Sequence, residues 1–159
     1  MRYIAKYASP LGPLLLMAED DCLTGLWMRK MLDAQEESCP VLEEAKEWLD
    51  AYFQERRPEM TLPLNPEGTA FQKQVWQILL TIPYGQVRTY GDIAREMAGW
   101  LGKEKMSPQA VGQAVGNNPI SILIPCHRVV GAKGQLTGYA SGLDKKIWLL
   151  QHERWLRQE

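Results

Sequence analysis

Hydrophobic and polar positions divide the chain into two unlike halves. In the first thirty residues, apolar side chains come in short runs around Tyr3–Tyr7, Leu14–Ala18 and Leu23–Met28. The breaks are Ser9-Pro10-Leu11-Gly12-Pro13 and Glu19-Asp20-Asp21. Short runs separated by such turn-forming residues predict an antiparallel meander. From Val41 to Gln54 the period changes. Leu42, Ala45, Leu49, Tyr52 and Phe53 share one helical face, with Glu43, Glu44 and Lys46 largely opposite, which predicts an amphipathic helix. Pro58 to Pro66 holds three prolines and an asparagine and reads as a linker. The domain boundary is placed there, giving domains 1–64 and 65–159.

The second half predicts mainly helices. Thr69 and Gln72 form a capping-box pattern ahead of Phe71, Val75, Ile78 and Leu79, and Pro83-Tyr84-Gly85 stops that helix. Thr89 caps a second helix through about Met97, with Asp92 as a favourable first-turn acid. Gly99-Trp100-Leu101-Gly102-Lys103 reads as a loop, and Ser107-Pro108 starts a third helix that ends near Asn117-Asn118-Pro119. Ala110, Val111, Gly112, Ala114, Val115 and Gly116 make that third helix unusually small-sided. Two helices joined by a loop resemble a helix-turn-helix unit. Small side chains let a helix lie close to nucleic acid or to its own protein, and the pattern alone does not choose between them. Ile122-Leu123-Ile124 reads as a strand buried on both faces, halted by Pro125. A glycine-rich loop follows over 131–142, and a last helix begins near Leu143 or Asp144. That helix sends Ile147, Leu149 and Leu150 toward the core and carries Glu153.

Composition narrows the class. At 159 residues, with 45% hydrophobic and 23% charged residues, the chain is that of an ordinary globular protein. Three cysteines without framework spacing fit reduced thiols in the cytoplasm. With two histidines and no CxxC, no structural zinc or other metal is expected. No signal-peptide pattern opens the chain and no apolar run approaches spanning length, so no membrane partner is expected. The net charge of −1 conceals an asymmetry: residues 1–70 hold 7 Lys/Arg against 13 Asp/Glu, and residues 71–159 hold 11 against 6. A basic second half suits a polyanion, though a chance split of solvated charge gives the same count.

Cys126 concentrates the candidate chemistry. It stands between Ile122-Leu123-Ile124-Pro125 and His127-Arg128-Val129. A buried free cysteine is ordinarily inert packing, which is the reading for Cys22 and Cys39. Apolar burial suppresses the thiolate, so a reactive Cys126 needs a partner to remove its proton, and His127 is adjacent.

Pro125-Cys126-His127-Arg128-Val129 resembles the active-site motif of the O6-alkylguanine-DNA alkyltransferases. Asn118-Pro119, Tyr90, Tyr139 and Trp148-Leu149-Leu150-Gln151-His152-Glu153 follow the family's motif order across about Phe71–Glu153. In residues 1–70 the likeness is one of size and element order only. The resemblance implies an α+β fold: a small antiparallel-sheet-plus-helix, ribonuclease-H-like domain, then a mostly helical, winged-helix-like domain with a helix-turn-helix. It implies a monomer that flips an O6-alkylguanine (and O4-alkylthymine) out of double-stranded DNA and moves the alkyl group irreversibly to Cys126, once per molecule, with no cofactor. His127 then takes the thiol proton, through a water because strand neighbours point to opposite faces, and Glu153 holds the imidazole. Asn118 fixes the turn, and Tyr90 donates its phenol proton toward the departing base. Val129, Tyr139, Ala140, Ser141, Val115 and Ser121 line or cover the pocket. Thr89, Gln109, Ala110, Gly112, Gln113, Asn117, Lys103 and Lys105 meet DNA. Without the resemblance, Tyr90 reads as a half-buried helix-start aromatic, Glu153 as an exposed helix residue, Asn118 as a helix stop and His152 as structural or exposed. Arg128 reads as a structural ion-pair or carbonyl partner.

One position departs from the family pattern. Gln109 stands where an arginine usually enters the duplex, which predicts weaker DNA binding with repair retained. Lys103 and Lys105, in a loop that looks long, would restore phosphate contacts. Three rival readings remain: a lesion sensor of the same fold, in which the cysteine would be replaced; a cysteine hydrolase, which needs an oxyanion hole and water access; and a helix-turn-helix regulator, which would need a second DNA-binding module.

Overall fold

The computed structural model describes residues 2–28 and 35–156. The chain separates into two compact units: the residues up to Glu67 together with Pro119–Leu123, and Gly68–Asn118 together with Ile124 onward.

The first unit is built on a meander of β1 (Arg2–Ser9), β2 (Gly12–Glu19) and β3 (Cys22–Trp27), in the order β1-β2-β3. The turns expected from the sequence set the register, from Ser9 opposite Gly12 and from Glu19 opposite Cys22, with an irregularity at Met17/Ala18. Leu14 through Ala18 are all buried, because β2 is the central strand. Helix α1 (Pro40–Phe53) packs on this sheet with Val41, Leu42, Ala45, Leu49 and Tyr52 inward.

Two expectations are corrected in this unit. The Pro58–Pro66 stretch is not a free linker. Leu64 forms a parallel bridge with Leu23, whose N–H donates to Pro63 O at 2.9 Å and whose carbonyl accepts from Asn65 N at 2.8 Å. Prolines keep the segment from becoming a full strand, yet buried Leu62 and the hydrogen-bonded N–H of Asn65 still anchor it. The apolar run Ile122-Leu123-Ile124 is buried as expected but is not a strand. Ile120 makes a single bridge with Leu26, and the chain then turns, with Ile122 at φ +71°. That conformation is costly for a β-branched residue and is held by its packing. Burial without a ladder is what periodicity cannot distinguish from a strand.

The second unit is mostly helical, as expected. Helix α2 (Ala70–Leu79) starts at Thr69 with the full reciprocal capping box to Gln72. Helix α3 (Tyr90–Leu101) starts with the same device between Thr89 and Asp92. It runs a turn past Met97, through Gly99 and Trp100, and stops at Gly102 in the left-handed conformation (φ +65°). The expected loop is therefore shorter than the sequence suggested. Helix α4 (Pro108–Gly116) is capped by the Ser107 hydroxyl, and α5 spans Leu143–His152. A two-residue parallel ladder joins β4 (Arg88–Thr89) to β5 (Val129–Val130).

Candidate active site

Cys126 lies in a single 3-10 turn, Cys126–Arg128, between the end of the buried turn and β5. Its N–H donates to Ile124 O at 2.7 Å. The alternation argument for a strand does not apply here, because the turn sets His127 and Arg128 by helical rather than pleated geometry. Both are nevertheless drawn to one acid. His127 Nε2 is 2.6 Å from Glu153 Oε2. Arg128 donates from Nε to Glu153 Oε1 at 2.7 Å and from Nη2 to Oε2 at 3.1 Å. His127 and Glu153 are fully buried. A carboxylate accepts, so Nε2 carries the proton and Nδ1 keeps its lone pair. Nδ1 is buried with no hydrogen-bond partner among the described residues.

The electrostatics follow from this burial. Burial pushes the Cys126 thiol up, opposed by hydrogen bonds from Asn118 and Tyr139 and by the charge of Lys146. Burial also pushes His127 down, with Glu153 opposing and Arg128 and Lys146 reinforcing, so the imidazole is neutral. Burial alone would raise the Glu153 carboxyl, but its two basic partners hold it well below the usual carboxylate range. With His127 neutral, Arg128 is the fixed charge that does so.

Several expected residues do meet at Cys126. Asn118, just past α4, donates from Nδ2 to Ile124 O at 2.8 Å and ties down the turn that carries the thiol. Tyr139 brings its hydroxyl 3.8 Å from Cys126 Sγ. Burial raises the Tyr90 phenol, a Thr137 side-chain hydrogen bond works against this, and charge on Cys126 adds to it. The phenol therefore keeps its proton at neutral pH. Val115 and Val129 are buried, whereas Ala140 is exposed and Ser141 half-buried. Ser121 falls in the other compact unit, where its N–H donates to Leu26 O at 3.2 Å. His152 is buried and stacks on Trp148 at 4.9 Å between centroids.

Helix α4 answers the question its small residues posed. Val111, Ala114 and Val115 pack inward, and Trp76 Nε1 donates to Ala114 O at 2.8 Å. A Cβ on Gly112 would sit 3.8 Å from the Tyr90 ring, an ordinary contact, so Tyr90 is this helix position's neighbour. Gln109, Gln113 and Asn117 form the exposed face, with Ala110 and Gly112 half-buried. Beside it, Arg95, Lys103, Lys105, Met106 and Pro108 help line an open hollow of about 330 Å³.

The sequence reading missed Lys146. It is 0% exposed, donates to Thr137 O at 3.1 Å and lies 5.9 Å from the Tyr90 ring centroid. Burial lowers its ammonium to about 8, with Cys126 pulling the other way. A signal was available: Lys146, Leu149, Leu150 and Glu153 fall on one helical face, while Ile147, expected in the core, is only half-buried.

Residues 70–155 match the model of the 6-O-methylguanine DNA methyltransferase DNA binding domain, and residues 2–66 match the ribonuclease-like domain of the same family. The chain belongs to the 6-O-methylguanine DNA methyltransferase family. This methyltransferase is 45% identical to the methylated-DNA–protein-cysteine methyltransferase of Methanosarcina acetivorans, over 95% of its own length and 97% of the relative's. It is 46% identical to that of Mycobacterium leprae, over 92% and 88%. Its fold superposes on the crystal structure of Mycobacterium tuberculosis O6-methylguanine methyltransferase with a TM-score of 0.82, at 40% identity and covering 97% of this chain and 93% of that one. A structure of the M. tuberculosis protein in complex with DNA gives 0.79, also at 40% identity, covering 96% and 92%. Among the described residues of this methyltransferase, no group of three or more His, Cys, Asp or Glu is placed to hold a metal, and no helix is long and apolar enough to cross a membrane.

Proposed function

We propose that Cys126 accepts the alkyl group, taking it irreversibly from O6-alkylguanine, and from O4-alkylthymine, in double-stranded DNA. The protein is a DNA-repair methyltransferase by family, and it works once, without a cofactor. The observation that carries the assignment is the buried thiol next to a neutral imidazole whose far nitrogen is held by a carboxylate. The thiol proton passes through a water to His127 Nδ1. The thiolate displaces the base at the alkyl carbon: the S–C bond forms as the C–O6 bond breaks. Tyr90 gives its proton to the departing base, and the proton left on His127 returns through solvent to the phenolate. Asn118, Tyr139 and Lys146 offset the burial cost of the thiolate. Val129, Tyr139, Ala140 and Ser141 border the flipped base, with Val115 behind it.

Thr89 and the exposed face of α4 meet DNA, and the hollow with Arg95, Lys103 and Lys105 takes backbone phosphates. The nucleophile, base and acid lie in one unit of one chain, which suits a monomer acting on DNA in the cytoplasm. The test is the intact mass and the Cys126 peptide mass after incubation with an oligonucleotide carrying one O6-methylguanine. One methyl on Cys126, stopping at one per protein, is expected. Continuous turnover, or methylation elsewhere, would overturn the assignment.

A further inference from the structure

Arg128 does more around Glu153 than charge neutralisation requires. Its fork takes both carboxylate oxygens, and its remaining Nη1 donates to Ile82 O at 2.7 Å. The guanidinium also lies 5.8 Å from the Tyr84 ring centroid, and Tyr84 Oη donates to His152 O at 3.2 Å. Gly85 N–H reaches Glu153 Oε1 at 3.4 Å. The carboxylate is thereby fixed in rotation from several sides, and the imidazole bonded to it is fixed as well.

The charge matters as much as the geometry. An isolated buried carboxylate hydrogen-bonded to an imidazole favours the imidazolium, which cannot accept a thiol proton. Arg128 offsets that carboxylate charge at both oxygens, including Oε2, the one bonded to the ring. The other charged group acting on His127 is Lys146 from α5, which works in the same direction as Arg128; the neighbouring Cys126 thiol carries no charge until it ionises, and its thiolate would then favour the imidazolium. Before proton transfer the set is thiol, neutral imidazole, carboxylate and guanidinium. After transfer it is thiolate, imidazolium, carboxylate and guanidinium. No group outside the set gains or loses a proton.

We propose that Arg128 is a positioning residue for alkyl transfer: by gripping both oxygens of Glu153 it keeps His127 an uncharged proton acceptor into mildly acidic solution. This rests on the Cys126-His127-Glu153 relay proposed above. The test is single-turnover methyl transfer from an O6-methylguanine oligonucleotide between pH 5 and 8.5, for the native chain, Arg128→Lys and Arg128→Gln. Arg128→Gln removes the charge and should move the acid limb up by about one pH unit or more, so that the rate at pH 6 falls about tenfold and recovers as pH rises. Arg128→Lys keeps the charge and should hold the limb within about half a unit. An unmoved limb in Arg128→Gln, an even loss at every pH, or identical shifts in both variants would overturn the proposal. Should Arg128→Gln not fold, the His127 Cε1 proton is followed by NMR in full-length Cys126→Ser. A ring neutral down to about pH 5 supports the proposal, and a midpoint at or above the ordinary value of about 6.5 overturns it. Absence of methyl on Cys126 in the native protein at any pH removes the relay itself, whereas methylation with an unmoved limb removes only the role of Arg128.

Discussion

The two compact units bury their polar groups in opposite ways. Among the described residues, the first is closed mainly by apolar side chains of β1 to β3 and α1, and the polar groups it buries are uncharged, the Ser121 side chain and the Thr24 hydroxyl among them. The second encloses Lys146, His127, Glu153, Asn118 and His152 in its interior. An apolar core gains stability in proportion to the surface removed from water. A buried ionic cluster repays its desolvation only when every partner is present. The first unit is therefore built to persist, and the second carries a stability cost where its chemistry lies.

The largest way to break that contrast is Glu153→Gln. It leaves the largely buried Arg128 without its anion, so a loss of about 3–5 kcal/mol is expected by denaturant unfolding. The methyl-transfer rate of whatever folds should fall about 100-fold or more. Leu26→Ala probes the other unit, where Leu26 is fully buried. Its expected cost is about 2–5 kcal/mol in denaturant melts, with the pH dependence of methyl transfer unchanged. Equal shifts in that profile for both variants would erase the distinction.

Acid should find the second unit first. The folded state holds His127 and Glu153 below their ordinary values, so the unfolded chain binds more protons than the folded one as pH falls. The contribution of these two groups should be full above about pH 6.5, decline below it as the unfolded histidine takes up a proton, and decline further below the usual carboxylate range of about 4.3. Thermal melts from pH 8 to 4 check this, and hydrogen exchange should show α5 opening before β2. The smallest expected effect is on the exposed face of α4. Gln109→Arg should tighten binding to a methylated duplex about tenfold and steepen its salt dependence, with the methyl-transfer rate at saturation retained. Unchanged affinity would mean that Gln109 already fills the arginine's place.

Local chemistry was legible in the sequence where neighbours along the chain decide it. The Thr69/Gln72 and Thr89/Asp92 boxes, the Ser107 cap and the meander turns each involve residues within a few positions, and the structure has them. The motif order around Cys126 carried the family. What failed were readings that required knowing what lay across space. Ile122-Leu123-Ile124 has the composition of a buried strand and is a buried turn. Leu64 lies among prolines, yet β3 offers it a hydrogen-bonding edge. Lys146 reads as one more cation on an amphipathic helix, and only the packing of Thr137 and Tyr90 against it makes it an interior charge.

The sequence by itself determined the element types set by caps, turns and periodicity, the family, and the candidate nucleophile. The resemblance already implied Glu153 at the imidazole and Asn118 at the turn; tertiary structure alone decided that Glu153 is fully buried and shared with Arg128, that Lys146 is interior, and that α4 gives one face to packing and the other to solvent. The reason is physical. Caps and turns are bonds between near neighbours, whereas burial, and with it the charge state of every group at the thiol, is fixed by residues far apart along the chain that only the fold brings together.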